Sequence, residues 1–466
     1  MNGESKTQKR TIYGYLLCFF CFGLTVWSFY PGFMSADSVG NMTNGREGVY
    51  YDINSPIVSW LWGKLDRIIE GPALMLVFQN LVFWTAAAVF WKSAAVKSYK
   101  LGFALILFGM LPHILPQLVC IWKDISLGVA LFLAVALLYY AKSWQSRVAL
   151  FLSPIPLFFG YAARLNALMA VLPIAIWSGF IVVSLFNIKK TKFIAVGIGV
   201  IYFVLLSFGG YFVTYNLTEG RTTFPHQQIY LYDLAAISAE NNEMYFPEYI
   251  VEYENFSPEL VKTRYNTRTI NDLLYPNIPN PGDLPPLRIT GKSEEVALLK
   301  EQWIKTVKAN PLIYLKHKTK VFGTLIGLDR SISMTFFYEG FMHNLPEYRG
   351  NEQKLSYQIL MKYIGAFRRP FPQTFFHRAF IWLSLCAYFL YRAVKNKLAG
   401  DWDIVFVLSL SCLLFTFAYL PTMPSTEFRY LFWSAISSAI VIIFGTYLSV
   451  QTKDNFIGKI FSRFGK

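Results

Sequence analysis

The stretch TIYGYLLCFFCFGLTVWSFYPGFMSADSVGN, residues 11–41, decides how the rest of the chain is read. Residues 11–30 carry no charged side chain. As a helix rising about 1.5 Å per residue, that run matches a hydrocarbon layer of about 30 Å. GESKTQKR precedes it, as in a signal peptide, yet the run ends in YPGFM rather than in a small-residue cleavage site. It is therefore expected to be a retained first span. Asp37 follows a few residues beyond its end. The purpose of a carboxylate there depends on the side of the membrane it faces and on which other charges share that side.

The chain is 54% hydrophobic, 18% aromatic and only 15% charged, with mean hydropathy +0.37. Soluble chains carry about a quarter charged residues. Apolar runs recur at 11–30, 72–91, 101–121, 125–141, 147–162, 166–187, 193–215, 376–391, 403–420 and 430–449. The expected fold is thus an α-helical polytopic membrane protein of about ten transmembrane helices. Cys18, Cys21, Cys120, Cys386 and Cys412 all fall in or beside apolar runs, so neither a disulfide framework nor a zinc site is indicated. The net charge of +15 invites a nucleic-acid reading. Counting by region removes it, because residues 216–375 hold 18 Lys/Arg against 17 Asp/Glu and the excess lies in short loops.

Those short loops set orientation. With the N-terminus cytoplasmic, the segments GESKTQKR, WKSAAVKSYK, AKSWQSR, NIKKTK, YRAVKNKLAGDWD and the tail carry 18 Lys/Arg and 4 Asp/Glu. The opposite short loops carry 7 of each. Basic excess marks the cytoplasmic side, so both termini are expected inside and Asp37 outside. The chain then divides into a transmembrane region, 1–215, with a first outer loop at 31–71; an extracytoplasmic insertion, 216–375; and a C-terminal transmembrane region with its tail, 376–466. In the first loop, PIVSWLWGKLDRIIE has the 3–4 spacing of an interfacial amphipathic helix. The insertion reads as mixed: a proline-rich extended stretch, LYPNIPNPGDLPPLR; a helix SEEVALLKEQWIKTVKANP capped by Ser293; and LIYLKHKTKVFGTLIG, whose Lys and His are expected to reach toward headgroups.

Four small polar groups share the outer side. FMSADSVGN carries Asp37 and is followed by YYDINSPIVSW with Asp52. CIWKDISLG places Lys123 and Asp124 at the head of a span, YAARLNAL offers Arg164 and Asn166, and STEFRYLFW offers Glu427 and Arg429. Singly, each reads as a solvated loop end flanked by interfacial aromatics such as Trp60, Trp62, Trp122, Tyr161 and Tyr430. Ionisable residues beside spans are costly unless they pair or line a cavity, and all four groups face one side. A carboxylate opposed to Lys and Arg at membrane height suits a phosphate leaving group and a hydroxyl acceptor. The cations neutralise developing charge, and the carboxylate takes a proton.

In this order and sidedness the motifs resemble the GT-C glycosyltransferases, multi-span enzymes that take sugars from polyprenyl-phosphate carriers. The likeness covers residues 1–190 and 300–450 and is weaker over 220–300. It implies that Asp37, in the first outer loop, is the catalytic carboxylate and that Lys123, Arg164 and Arg429 contact the donor phosphate. NSPIVSW supplies Pro56 at a helix start but lacks the His of mannosyltransferase relatives. Asp52, Asp124, Asn166 and Glu427 join the expected substrate-binding set, as do His226 and Gln227 of FPHQQIYLYDLAAIS. In that segment Asp233 reads as a helix cap or a solvated residue.

The expected function is transfer of a sugar from a polyprenyl-phosphate-linked donor to a glycan or lipid-linked acceptor, with membrane lipids as surroundings and no nucleic-acid partner. The expected location is a bacterial inner membrane, with the site facing outward. Carboxylate plus phosphate is compatible with Mg2+ or Mn2+ at Asp37, although the sequence has no metal-ligand spacing. Two other classes share features of the pattern. A polysaccharide polymerase or ligase would rely on outer arginines without needing Asp37. A transporter of lipid-linked glycans would favour broken helices and midplane polar groups, hinted at by Pro112/Pro116 and Pro154/Pro156.

Overall fold

The computed structural model describes residues 2–189, 191–275, 284–329, 336–337, 339, 352–368 and 374–451. Part of the proline-rich stretch (276–283) and the tail (452–466) lie outside them. Helix α1 (Asn2–Phe29) contains the first apolar stretch, Ile12–Phe29, and turns Phe19, Phe20 and Trp27 away from the other helices, as a lipid-facing span does. A hairpin of two short helices follows, α2 (Ala36–Glu47) and α3 (Pro56–Asp66). Pro56 sits at the first helical position of α3, where its missing N–H would be unpaired anyway. The hairpin closes because α2 and α3 cross backbone to backbone. A Cβ on Gly63 would stand 2.1 Å from the Gly45 carbonyl oxygen, so neither position accommodates a side chain.

After α4 (Ala73–Ala94) comes α5 (Tyr99–Leu107), prolonged by a 3-10 turn to Met110. Here the expected continuous span 101–121 fails. The chain leaves the helix at Leu111 (φ −61°, ψ 146°), because Pro112 pushes its predecessor into extended backbone. Only the four-residue α6 (Leu115–Leu118) intervenes before α7 (Lys123–Trp144). Irregular backbone in an apolar bundle needs internal partners. Gln79 of α4 donates to the carbonyls of Leu118 (2.8 Å) and Cys120 (3.1 Å), and Asn80 donates to Leu118 (2.9 Å).

The chain continues through α8 (Arg147–Leu152) and α9 (Pro154–Ala163), which part at Ser153–Pro154, then α10 (Leu168–Leu185) and α11 (Thr191–Thr218). Helix α11 packs along α10 and touches α9 and α3, and only 22% of its apolar window is buried, as expected of a peripheral, lipid-facing helix. The insertion holds α12 (Gln227–Asn241), α13 (Glu248–Val251), α14 (Pro258–Arg264), α15 (Asn271–Leu274), α16 (Ser293–Ala309), α17 (Pro311–Leu325) and α18 (Leu355–Arg368). The chain ends in α19 (Ala379–Lys395), α20 (Trp402–Thr422) and α21 (Phe432–Gln451).

Among the described residues, seven helices are long and apolar enough to cross a membrane. The three remaining expected spans correspond to shorter helices, Tyr99–Met110, Arg147–Ala163 and Ala379–Lys395. The chain is an α-helical membrane protein. Its insertion is helical and irregular, without a strand among the described residues, rather than mixed; one isolated bridge pairs Thr269 with Ser425.

Three expectations for the insertion need correction. Helix α16 begins at Ser293 itself, with Lys292 in the N-cap position. Asp233 is neither a cap nor solvated: it is fully buried within α12, 2.5 Å from the Lys318 ammonium and 3.2 Å from His317 Nε2. His317 and Lys318 therefore point into the insertion rather than toward headgroups, because a buried carboxylate requires partners. Burial pushes the His317 pKa below its ordinary value.

Candidate functional site

Two irregular stretches meet beside α7. Phe33 donates from its N–H to the Val119 carbonyl (2.8 Å) and accepts from the Ile121 N–H (3.0 Å). The Ser38 hydroxyl donates to the Ile121 carbonyl (2.7 Å), and the Trp122 indole donates to Ser35 Oγ (2.7 Å). This lacing sets the first turn of α2, with Asp37, against the first turn of α7, with Lys123 and Asp124. Gly128, one turn further along α7, lets α21 approach: a Cβ there would lie 2.4 Å from the Phe432 ring. The 3-10 turn Phe428–Leu431 that leads into α21 then delivers Arg429 to the same place. Arg164 arrives from the other side, at the C-terminal end of α9 in extended backbone.

Arg429 is the hub. Its guanidinium lies 2.5 Å from Asp37 Oδ2, 2.5 Å from Glu427 Oε2 and 3.9 Å from Asp124 Oδ2. Arg164 pairs with the other oxygen of Asp124, so the buried Asp124 carboxylate stands between both guanidiniums. The Tyr430 ring lies under both, 4.6 Å from the Arg164 guanidinium carbon and 5.3 Å from that of Arg429. Tyr419 stacks on Tyr430, and Trp122 faces Arg429 at 5.0 Å. Trp122 and Tyr430, expected in an interfacial belt, join Tyr419 as the apolar walls that strengthen the charge contacts by excluding water. The sequence hinted at this only through the WK and RY neighbour pairs.

Asp37 is the open member of the cluster, with 43% of its side chain exposed. The Arg429 guanidinium, opposed by desolvation and helped by Lys123, Arg164 and the hydrogen bond, holds its pKa down at about 2. Solvent reaches the Asp37 side of the pair, although Arg429 is buried, and the screening there makes this a statement about proton affinity more than about stored stability. Lys123 donates to the Ile53 carbonyl (2.6 Å), tying the head of α7 to the first loop.

The other expected site residues divide. Glu427 belongs to the cluster through Arg429. Asp52 accepts from the backbone N–H and the hydroxyl of Thr223, both at 2.6 Å, and so clamps the first loop to the root of the insertion. Asn166 is exposed on the turn after Arg164. His226 is exposed near Asp52 and Lys300, with its pKa lowered by desolvation. Gln227 is fully buried, and its amide is engaged by the Thr223 carbonyl (2.8 Å) and the Thr290 carbonyl and N–H (2.9 and 2.8 Å). It braces the insertion and leaves no polar atom for a substrate.

No group of three His, Cys, Asp or Glu among the described residues is placed to hold a metal ion, and Asp37, Asp124 and Glu427 each face a guanidinium. Comparison of the chain with protein-family profiles, with curated proteins and with solved structures finds no match in any of the three.

Proposed function

We propose that the chain is a GT-C-like glycosyltransferase that moves a sugar from a polyprenyl-phosphate donor to a glycan or lipid-linked hydroxyl acceptor, at the extracytoplasmic face of a bacterial inner membrane. The observation that carries this reading is the convergence of Arg164 and Arg429 on one aromatic-walled site, with Lys123 beside it and Asp37 at its open edge. The carboxylates balance the cations at rest, so an arriving phosphate must exchange for one of them. Asp37 is the exposed partner and the one most readily displaced from Arg429.

The step balances as a single displacement. The acceptor oxygen attacks the anomeric carbon as the bond from that carbon to the phosphate oxygen breaks, and the acceptor proton passes to Asp37. The phosphate leaves with one more negative charge than it had as a diester, and that added charge is what Arg429, Arg164 and Lys123 stabilise more strongly in the transition state than in the ground state. Asp37 held at low proton affinity is a weak base, so release from Arg429 is what makes it competent.

The test is Asp37→Asn. Transfer should fall by about 10²–10⁴ while polyprenyl phosphate still binds. Mass spectrometry of surface glycan should show loss of one sugar residue per acceptor unit in this variant and in the deletion strain. Near-normal turnover, or a change in polymer length in place of a missing sugar, would discard this reading for the polymerase class.

A further inference from the structure

The loop that feeds Arg429 into the site takes its backbone partners from the insertion. Ile270 donates to the Pro424 carbonyl (2.9 Å), and the Thr426 N–H donates to the Arg268 carbonyl (2.7 Å). Side chains double these links. The Thr426 hydroxyl donates to the same Arg268 carbonyl (2.9 Å), and the hydroxyls of Thr269 and Ser425 meet at 2.7 Å. All three hydroxyl residues are buried.

The insertion side of this contact is itself held rigid. Asn266 Oδ1 accepts from the N–H groups of Arg268 (2.9 Å) and Thr269 (3.2 Å), while its amide donates to Asp272 (2.8 Å). Its carbonyl accepts from the Tyr232 hydroxyl (2.7 Å). Tyr232 is fully buried on α12 beside Asp233, with its ring edge-on to His317 at 4.7 Å. A continuous chain of directional contacts therefore runs from the buried Asp233–Lys318–His317 core through Tyr232, Asn266 and Thr269 to Ser425 and Thr426. Three residues later comes Arg429.

We infer that residues 266–270 are a positioning strap, through which the insertion fixes Arg429 in the ion cluster by way of the Thr269–Ser425 and Arg268–Thr426 contacts. The inference rests on the reading of Arg429 as a ligand of the donor phosphate. The segment 423–427, which leads into the 3-10 turn that carries Arg429, is not itself helical and takes its course from these contacts, and about 1 Å of misplacement of a phosphate ligand is enough to lose about 10²-fold in rate. Thr269 acts through Arg429 and touches no reacting atom.

Two variants separate positioning from simple support. Thr269→Val keeps shape and removes the hydroxyl, whereas Thr269→Ser keeps the hydroxyl. Binding of undecaprenyl phosphate to the full chain in lipid nanodiscs should weaken about three- to tenfold in Thr269→Val, the range of one buried hydrogen bond, and recover in Thr269→Ser. In an Arg429→Ala background, Thr269→Val should add nothing, since the coupling then has no target. Independently of any lipid, infrared titration should show the Asp37 carboxylate protonating at higher pH in Thr269→Val, because a loosened Arg429 holds it less. Equal weakening by Thr269→Val in the presence and absence of Arg429 would overturn the strap, as would an unmoved Asp37 titration. A wild-type chain that binds no polyprenyl phosphate would instead remove the phosphate reading, leaving the strap to stand or fall on the Asp37 titration.

Discussion

Helix α7 ends in a charge cluster at each tip, and the two are built differently. At its C-terminal tip, Lys142 reaches Asp403 (2.6 Å) and the Gly400 carbonyl (2.7 Å), while Lys97 reaches Asp401 (2.5 Å). Each carboxylate there also accepts a neutral donor: the Tyr139 hydroxyl serves Asp401 (3.0 Å), and the Trp177 indole (2.9 Å) and Ile404 N–H (2.7 Å) serve Asp403. Asp401 and Asp403 also stand at the start of α20, where the helix dipole favours anions. At the N-terminal tip, Asp37, Asp124 and Glu427 lean on Arg164 and Arg429, charge against charge, and the hub is shared among three carboxylates. The first cluster is a staple joining α7, α10 and α20. The second is balanced so that an added anion can change its partners. Lys142 is shared as well, lying 3.8 Å from Asp401, so the two differ by the neutral donors that hold Asp401 and Asp403 and by the open edge that Asp37 gives the other cluster, more than by the number of charges.

Arg429→Ala tests the difference with the largest expected effect. It leaves Asp37 and Glu427 without their shared guanidinium, and removal of such a preorganised donor is expected to lower transfer by about 10²–10³ or more. Polyprenyl phosphate binding should weaken about 10- to 100-fold, as for one lost charge-assisted hydrogen bond. Lys142→Ala, at the other tip, should leave both quantities unchanged per folded molecule. Comparable losses in the two variants, measured on monodisperse protein, would mean that both clusters are structural.

Much of this was legible in the sequence, and the failures share one cause. Hydropathy placed the long helices because a span needs a fixed length of apolar residues whatever surrounds it. The order of Asp37, Lys123–Asp124, Arg164 and Glu427–Arg429 along the chain located all the members of the ion cluster. Periodicity could not see the break at Leu111, since LPHILPQLVC is as apolar as a helix. Its signal was Pro112 and Pro116, together with Gln79 and Asn80, which look out of place in ALMLVFQNLVFW until the freed carbonyls beside them are seen. Asp233, His317 and Lys318 were misread because long-range pairing hides charges that composition assigns to the surface. The Thr269–Ser425 contact joins residues 156 apart through ordinary hydroxyls, and no local pattern announces it.

The pH dependence gives a smaller but sharper handle. Asp37 falls from an ordinary 3.8 to about 2, chiefly because Arg429 is beside it. A depressed carboxylate pKa contributes stability that is present above the unfolded value and lost as pH falls through the folded one, so the pair should hold the site down to about pH 2–3. For catalysis, kcat/KM reports the free enzyme and kcat the bound complex. Phosphate that draws Arg429 away returns Asp37 toward its ordinary value, so the acid limb of kcat should lie at higher pH than that of kcat/KM, by about one to two units. Coincident limbs would show that Arg429 keeps Asp37 throughout turnover and that another group takes the proton.

The smallest effect is expected at the staple. Asp403→Asn keeps the shape of the side chain but removes the charge that Lys142 pairs with and that the start of α20 favours. The indole of Trp177 donates to Oδ2 and the N–H of Ile404 to Oδ1, so the single amide oxygen of Asn keeps one of the two donors, and the other is lost together with the ionic share. Both partners are partly exposed, Lys142 by 28% and Asp403 by 22%, so screening trims that share to about 1 kcal/mol. That should appear as a fall of a few degrees in the apparent melting temperature in detergent, shrinking further at high salt. Polyprenyl phosphate affinity and transfer per folded molecule should match the wild type, because α7 separates the staple from Arg429 by its full length of 22 residues, about 33 Å. A tenfold loss of transfer with an unchanged melting temperature would mean that the two tips of α7 are coupled and that the division between fastener and site is wrong.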